Sequence, residues 1–72
     1  MKEIPIKTEF IRLQELLKFA SLVSTGGEAK IMISEGAVSV NGEPCLQRGR
    51  KLRPGDVVHC RGQELTVSYA DQ

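Results

Sequence analysis

Seventy-two residues, ten Lys or Arg against nine Asp or Glu, a net charge of +1 and 40% hydrophobic residues describe one small domain. A chain this short buries only about 60% of its unfolded surface, so one modest core carries stability and large catalytic architectures are excluded. The near-zero total charge gives no sign of the strongly basic composition of many nucleic-acid binders.

Cys45 and Cys60 are too few for a disulfide scaffold, and no cationic segment followed by an apolar run opens the chain as a signal peptide does. A reducing cytoplasm is the expected compartment. The longest uninterrupted apolar run, Ile31 to Ile33, has three residues against the roughly 18 that span a bilayer, so no membrane insertion is expected.

In chain order, Ile4 to Lys7 alternate weakly and suit a short opening strand, which Pro5 confines to a sheet edge. Leu13, Leu16, Leu17 and Ala20 follow the i, i+3, i+4, i+7 spacing of a helix with one apolar stripe. Its start lies either near Thr8, as a cap, or nearer Leu13. Thr25-Gly26-Gly27-Glu28 opens a second helix with a capping box: Thr25 caps the end and Glu28 returns a bond to the Thr25 amide. Ala29, Met32 and Ile33 share its buried face, and Gly36 supplies the left-handed residue that stops it.

Beyond Gly36 the period changes from 3.6 to 2. Val38 and Val40 alternate with smaller neighbours, and Asn41-Gly42 is a strong hairpin signal. Arg53-Pro54-Gly55-Asp56 reads as a type II turn, Val57 to Cys60 as a strand, Arg61 to Glu64 as a turn and Leu65 to Tyr69 as a last strand. The expected architecture is α+β, two short helices packed on a small antiparallel β-sheet.

Three features offer chemistry. The run Gln47 to Arg53 holds Arg48, Arg50, Lys51 and Arg53 with no acid; residues 44–61 sum to +4 and the remainder of the chain to −3. Four phosphate contacts from this run imply a log–log salt slope of about −3; the plainer reading is a solvated loop kept basic for solubility. At the second helix, Gly26 and Gly27 stand where unpaired amides and the positive end of the dipole face outward, with Lys30 off the apolar stripe. The alternative is that the glycines merely permit a tight turn. Arg12 and Phe19 lie two turns apart on one side of the first helix and Lys18 elsewhere; Arg12 either reaches a ligand or pairs with Glu15, and Phe19 packs against the second helix or the opening strand.

Catalytic readings fare worse. His59 and Cys60 are strand neighbours that point to opposite faces, and one His with two Cys, without C-x-x-C spacing, makes no metal site. No nucleotide-binding glycine fingerprint is present, so neither enzyme activity, metal nor cofactor is expected. Phe10, Phe19 and Tyr69 are the only aromatics, too few for a platform stacking several bases.

The order Arg12-Leu13 with Leu16-Leu17, then Thr25-Gly26-Gly27-Glu28-Ala29-Lys30, then Gly36-Ala37-Val38-Ser39-Val40-Asn41-Gly42, then Leu52-Arg53-Pro54-Gly55-Asp56-Val57-Val58 resembles the RNA-binding domain named after small-subunit ribosomal protein S-four, the alpha-L motif. The resemblance runs from about Phe10 to Val67 within a single domain of residues 1–72, and it is similar to small stand-alone bacterial members of the YbcJ and YaaA type. It implies a cytoplasmic, monomeric, non-enzymatic protein that binds structured RNA, ribosomal or transfer RNA, through shape and phosphates. It also implies association with the ribosome or RNA-processing proteins. Arg12, Lys18, Thr25, Gly26, Gly27, Lys30, Arg48, Arg50, Lys51 and Arg53 are the expected contact residues. Many members carry Asp where this chain has Gln14, and Arg where it has Gly26. The other class of reading is a protein-interaction module whose basic loop docks on an acidic partner.

Overall fold

A computed structural model describes residues 2–70. Its elements are β1 (Lys2–Ile6), β2 (Ile11–Arg12), α1 (Leu13–Phe19), α2 (Gly26–Ser34), β3 (Val38–Val40), β4 (Glu43–Pro44), β5 (Lys51–Leu52), β6 (Val57–Cys60) and β7 (Gln63–Tyr69). Strands β1-β7-β6-β3-β4 form one sheet, and β2 pairs with β5 as a separate two-stranded ribbon.

The α+β architecture stands, with one correction: the sheet is mixed. β1 runs parallel to β7, with Ile4 opposite Val67 and Ile6 opposite Tyr69, while the β7–β6, β6–β3 and β3–β4 pairs are antiparallel. A parallel pair needs a crossover of at least a dozen residues. Here almost the whole chain lies between the two partners. Pro5 sits in the edge strand, where its missing N–H removes a donor from that rim.

Period-2 alternation places Ile4 and Ile6, Val38 and Val40, Val58 and Cys60, and Leu65 and Val67 on one face of the sheet, all buried. Leu13, Leu16 and Leu17 of α1 and Ala29, Met32 and Ile33 of α2 cover that face, with Leu22 and Val23 between the helices and Leu52 of β5 closing the rim of the cluster. Both cysteines are free thiols inside it. Among the described residues no helix is long and apolar enough to cross a membrane.

The helix ends follow from local chemistry. α1 starts at Leu13, and Thr8 is no cap; its hydroxyl donates to the Phe10 carbonyl at 2.7 Å. α2 ends in a Schellman motif: the amides of Gly36 (φ 78°) and Ala37 donate to the carbonyls of Ile33 and Met32. α1 ends the same way, with the amides of Ser21 and Leu22 donating to Lys18 and Leu17, but its left-handed residue is Ser21 at φ 63°. A side chain there costs about 1–2 kcal/mol, partly offset by the freedom a glycine restores to the unfolded chain, about 0.4–1 kcal/mol. Ser21→Gly is therefore expected to stabilise the domain by roughly 0.5–1 kcal/mol, read as a rise of a few degrees in the thermal midpoint.

Three turns join the strands at the expected places. The last is tighter than the expected Arg61 to Glu64: Gln63 and Glu64 of β7 already pair with Cys60 and His59, leaving Arg61 and Gly62 as the loop. Asn41 (φ 52°) and Gly42 (φ 88°) both adopt positive φ in the β3–β4 hairpin, as do Arg61 (φ 54°) and Gly62 (φ 75°) between β6 and β7. In the turn before β6 the Asp56 amide donates to the Arg53 carbonyl at 3.0 Å around Gly55 (φ 102°), a type II geometry.

Candidate nucleic-acid interface

The basic run is pinned to the start of α1 rather than left as a free loop. The first amides of a helix lack intrahelical acceptors. Here the Leu13 amide donates to the Arg50 carbonyl at 2.9 Å and the Gln14 amide to the Arg48 carbonyl at 3.1 Å. Next to them Ile11 pairs with Leu52 and Arg12 with Lys51. The backbone of the run caps α1, and its charged side chains are left exposed: Arg48, Arg50, Lys51 and Arg53 all face solvent, as does Arg12 beside them.

Phe10 organises part of this cluster. The Arg12 guanidinium lies 5.6 Å, and the Lys51 ammonium 4.9 Å, from the centre of its half-buried ring. The electron-rich ring face offsets some of the repulsion between two adjacent cations. Glu15 does not neutralise Arg12: its carboxylate accepts the Arg12 backbone amide, at 3.4 Å. Phe10 and Arg12 flank Ile11 on the same extended segment, a spacing of two that put both side chains on one side. That spacing is the sequence signal by which Phe10 was open to detection.

Asp56, the one acid in the basic segment, is used inward. Its two carboxylate oxygens accept the Arg53 amide at 2.9 Å and the Asn41 side-chain amide at 3.2 Å, while Asn41 Oδ1 accepts the Val57 amide at 2.9 Å. It fixes the end of the run instead of screening it. Arg61, by contrast, stands at the other end of β6, where its guanidinium donates to the Leu22 carbonyl at 3.0 Å. It holds the interhelical segment and does not join the run.

At α2, Thr25 Oγ1 accepts the Glu28 amide at 3.1 Å, but Glu28 accepts from the Ser24 amide, not from that of Thr25. The extended backbone at Thr25 (φ −137°, ψ 164°) brings the preceding amide to the carboxylate. Among the described residues no acceptor meets the amides of Gly26 and Gly27. Neither glycine has a positive φ, and a Cβ built at Gly26 meets nothing within 4 Å, while one at Gly27 meets only Thr25 Oγ1 at 3.8 Å. The fold does not require glycine at either place. Thr25, Gly27 and Lys30 are exposed and Gly26 half-buried.

The two halves of the expected site flank α1. Its start carries the Phe10–Arg12–Lys51 cluster, and seven residues later, about 10 Å along the axis, the chain turns toward α2. Lys18 occupies the last turn of α1 between them and is exposed.

Elsewhere the chemistry is sparse. Among the described residues no group of three or more His, Cys, Asp or Glu lies close enough to hold a metal. His59 faces out and meets Glu64 across the β6–β7 pair at 3.2 Å, whereas Cys60 is buried. Burial pushes the Cys60 thiol up from its ordinary value, against a smaller opposing pull from Arg61, which keeps the reactive thiolate scarce.

The S4 domain family matches residues 4–68. The chain belongs to the S4 domain family. A relative, "Probable ribosome maturation protein RlbA" of Bacillus subtilis (strain 168), is 51% identical over 59 residues, which cover 82% of this chain and 83% of that protein. In this S4 domain the Gln14 backbone, not its side chain, holds the Arg48 carbonyl, so the exchange of Asp for Gln leaves the docking of the basic run intact. At Gly26 the missing cation leaves a bare helix start.

Proposed function

We propose that this S4-domain protein binds structured RNA, ribosomal RNA in the first instance, as a monomeric, non-enzymatic cytoplasmic protein serving ribosome maturation. The observation that carries this is the basic run clamped by its own carbonyls onto α1, with its Lys51 converging with Arg12 on the Phe10 ring. Clamping fixes four exposed cations without using their side chains. That suits phosphates presented at fixed spacing by folded RNA, read by shape rather than base sequence. The relative's name as a ribosome maturation protein supports ribosomal over transfer RNA. In this reading Arg12, Lys51, Arg48, Arg50 and Arg53 take phosphates at one end of α1. Thr25, Gly26, Gly27 and Lys30 take one at the start of α2, and Lys18 bridges the two.

Retention of total cellular RNA on the purified protein, followed by sequencing of what is held, tests the proposal. Enrichment of ribosomal RNA supports it; retention of proteins with no RNA at low salt replaces it with docking on an acidic partner. The α2 start has its own test. Gly27→Ala is expected to raise stability by about 0.5–1 kcal/mol, because alanine suits a helix better and has room. The same change is expected to weaken RNA binding, because its methyl stands where a phosphate approaches the amides. Unchanged affinity in the stabilised variant removes the α2 start from the interface.

A further inference from the structure

Beside the cationic cluster lies a hollow that the phosphate-binding reading leaves unused. Pro5, Ile6 and Lys7 at the end of β1, Ile11 of β2, Phe19 at the end of α1 and Ala70 line a groove of about 510 Å³. Phe19, expected to pack on the second helix or the opening strand, is 60% exposed and shares the groove with the end of β1, and Tyr69, the register partner of Ile6 on the same face of the sheet, is also 60% exposed. Leaving two large aromatics in water beside an apolar groove forgoes burial worth several CH₂ groups each, which marks the place as a contact surface.

We infer that this groove receives one unpaired base of the bound RNA, stacked on Phe19, while Arg12 and Lys51 hold neighbouring phosphates. The inference rests on the RNA reading above and extends it from phosphates to a base. Three observations favour a base over a protein partner. Ile11, which lines the groove, sits between Phe10 and Arg12 on one extended segment, so the groove and the cationic cluster flank the two sides of that segment. Lys7 lines the groove, Lys18 precedes Phe19, and among the described residues no acid is in the lining, a charge pattern suited to a polyanion. The volume falls in the range of small-molecule clefts, about 300–1,000 Å³, whereas a stable protein interface takes about 800 Å² from each partner. One exposed aromatic suffices for one base; the chain lacks the row of aromatics that reads several.

The test compares two RNA hairpins of equal length, one fully paired and one with a single bulged nucleotide, binding to the full chain. Wild type is expected to prefer the bulged hairpin by about 5- to 150-fold, the worth of one aromatic–base stack. Its Phe19 ring and its Ile6 and Ile11 methyl NMR signals are expected to shift with the bulged hairpin alone. Phe19→Leu, which keeps an apolar side chain but loses the flat face, should bring the preference close to one without changing affinity for the paired hairpin, and Phe19→Tyr should restore it. Because Phe19 is largely exposed, both variants should melt near the wild-type temperature. Equal binding of both hairpins by wild type, or a preference that survives in Phe19→Leu, overturns the base pocket and leaves the RNA reading standing. Failure of both hairpins to bind overturns the two together. Loss of a captured protein in Phe19→Leu, with no bulge preference in wild type, assigns the groove to a protein instead.

Discussion

Leu52→Ala is expected to cost 2–5 kcal/mol, the usual range for emptying a fully buried leucine position. At about 0.05–0.15 kcal/mol per residue, a domain of 72 residues has roughly 4–11 kcal/mol in all, so this one truncation removes a large fraction of it. Leu52 is 0% exposed in a strand only two residues long, pairs with Ile11, and lies between Lys51 and Arg53. It is the apolar peg that joins the basic run to the core. Thermal unfolding is expected to show a midpoint lower by about 8 °C or more, at about 4–8 °C per kcal/mol. A loss below 1 kcal/mol contradicts the anchoring of the run.

The second large effect falls on binding and spares the fold. Arg12→Glu combined with Lys51→Glu is expected to weaken RNA binding by about 10²- to 10⁴-fold, two charged hydrogen bonds at roughly 1.5–3 kcal/mol each. Both side chains are exposed, and the hydrogen bonds that dock the run use the carbonyls of Arg48 and Arg50, so stability is expected to move by less than 1 kcal/mol. Titration of ribosomal RNA with the double variant, beside its melting curve, reads both quantities. Affinity within threefold of wild type places the phosphates elsewhere.

Local patterns carried much of the fold into the sequence. The stripe Leu13, Leu16, Leu17, the cap at Thr25, the stop at Gly36 and the Asn41-Gly42 turn are each set by residues within a few positions of one another, and the structure has all of them. The parallel pairing of β1 with β7 was not legible, because its register is set by packing between chain ends more than 60 residues apart. Nor was the β2–β5 ribbon, whose two-residue strands are too short for any period.

The interface divides along the same line. The charges at residues 48–53 are visible in a composition count. What fixes them is not: backbone carbonyls on the start of α1, Phe10 under Arg12 and Lys51, and Asp56 turned inward. The count also placed Arg61 with the run, whereas its tie to Leu22 sets it apart. A net charge of +1 thus conceals a one-sided distribution, with Arg12 and the basic run gathered at one end of α1.

The salt dependence of ribosomal RNA binding tests that distribution most directly. The log–log slope for wild type is expected to be about −3 or steeper, at roughly 0.7–0.9 per phosphate contact. Replacing Arg48, Arg50, Lys51 and Arg53 together by Gln should lower affinity for all RNA sequences alike and flatten the slope by about 3 while the thermal midpoint holds. A folded variant that keeps both the affinity and the slope of wild type contradicts the account.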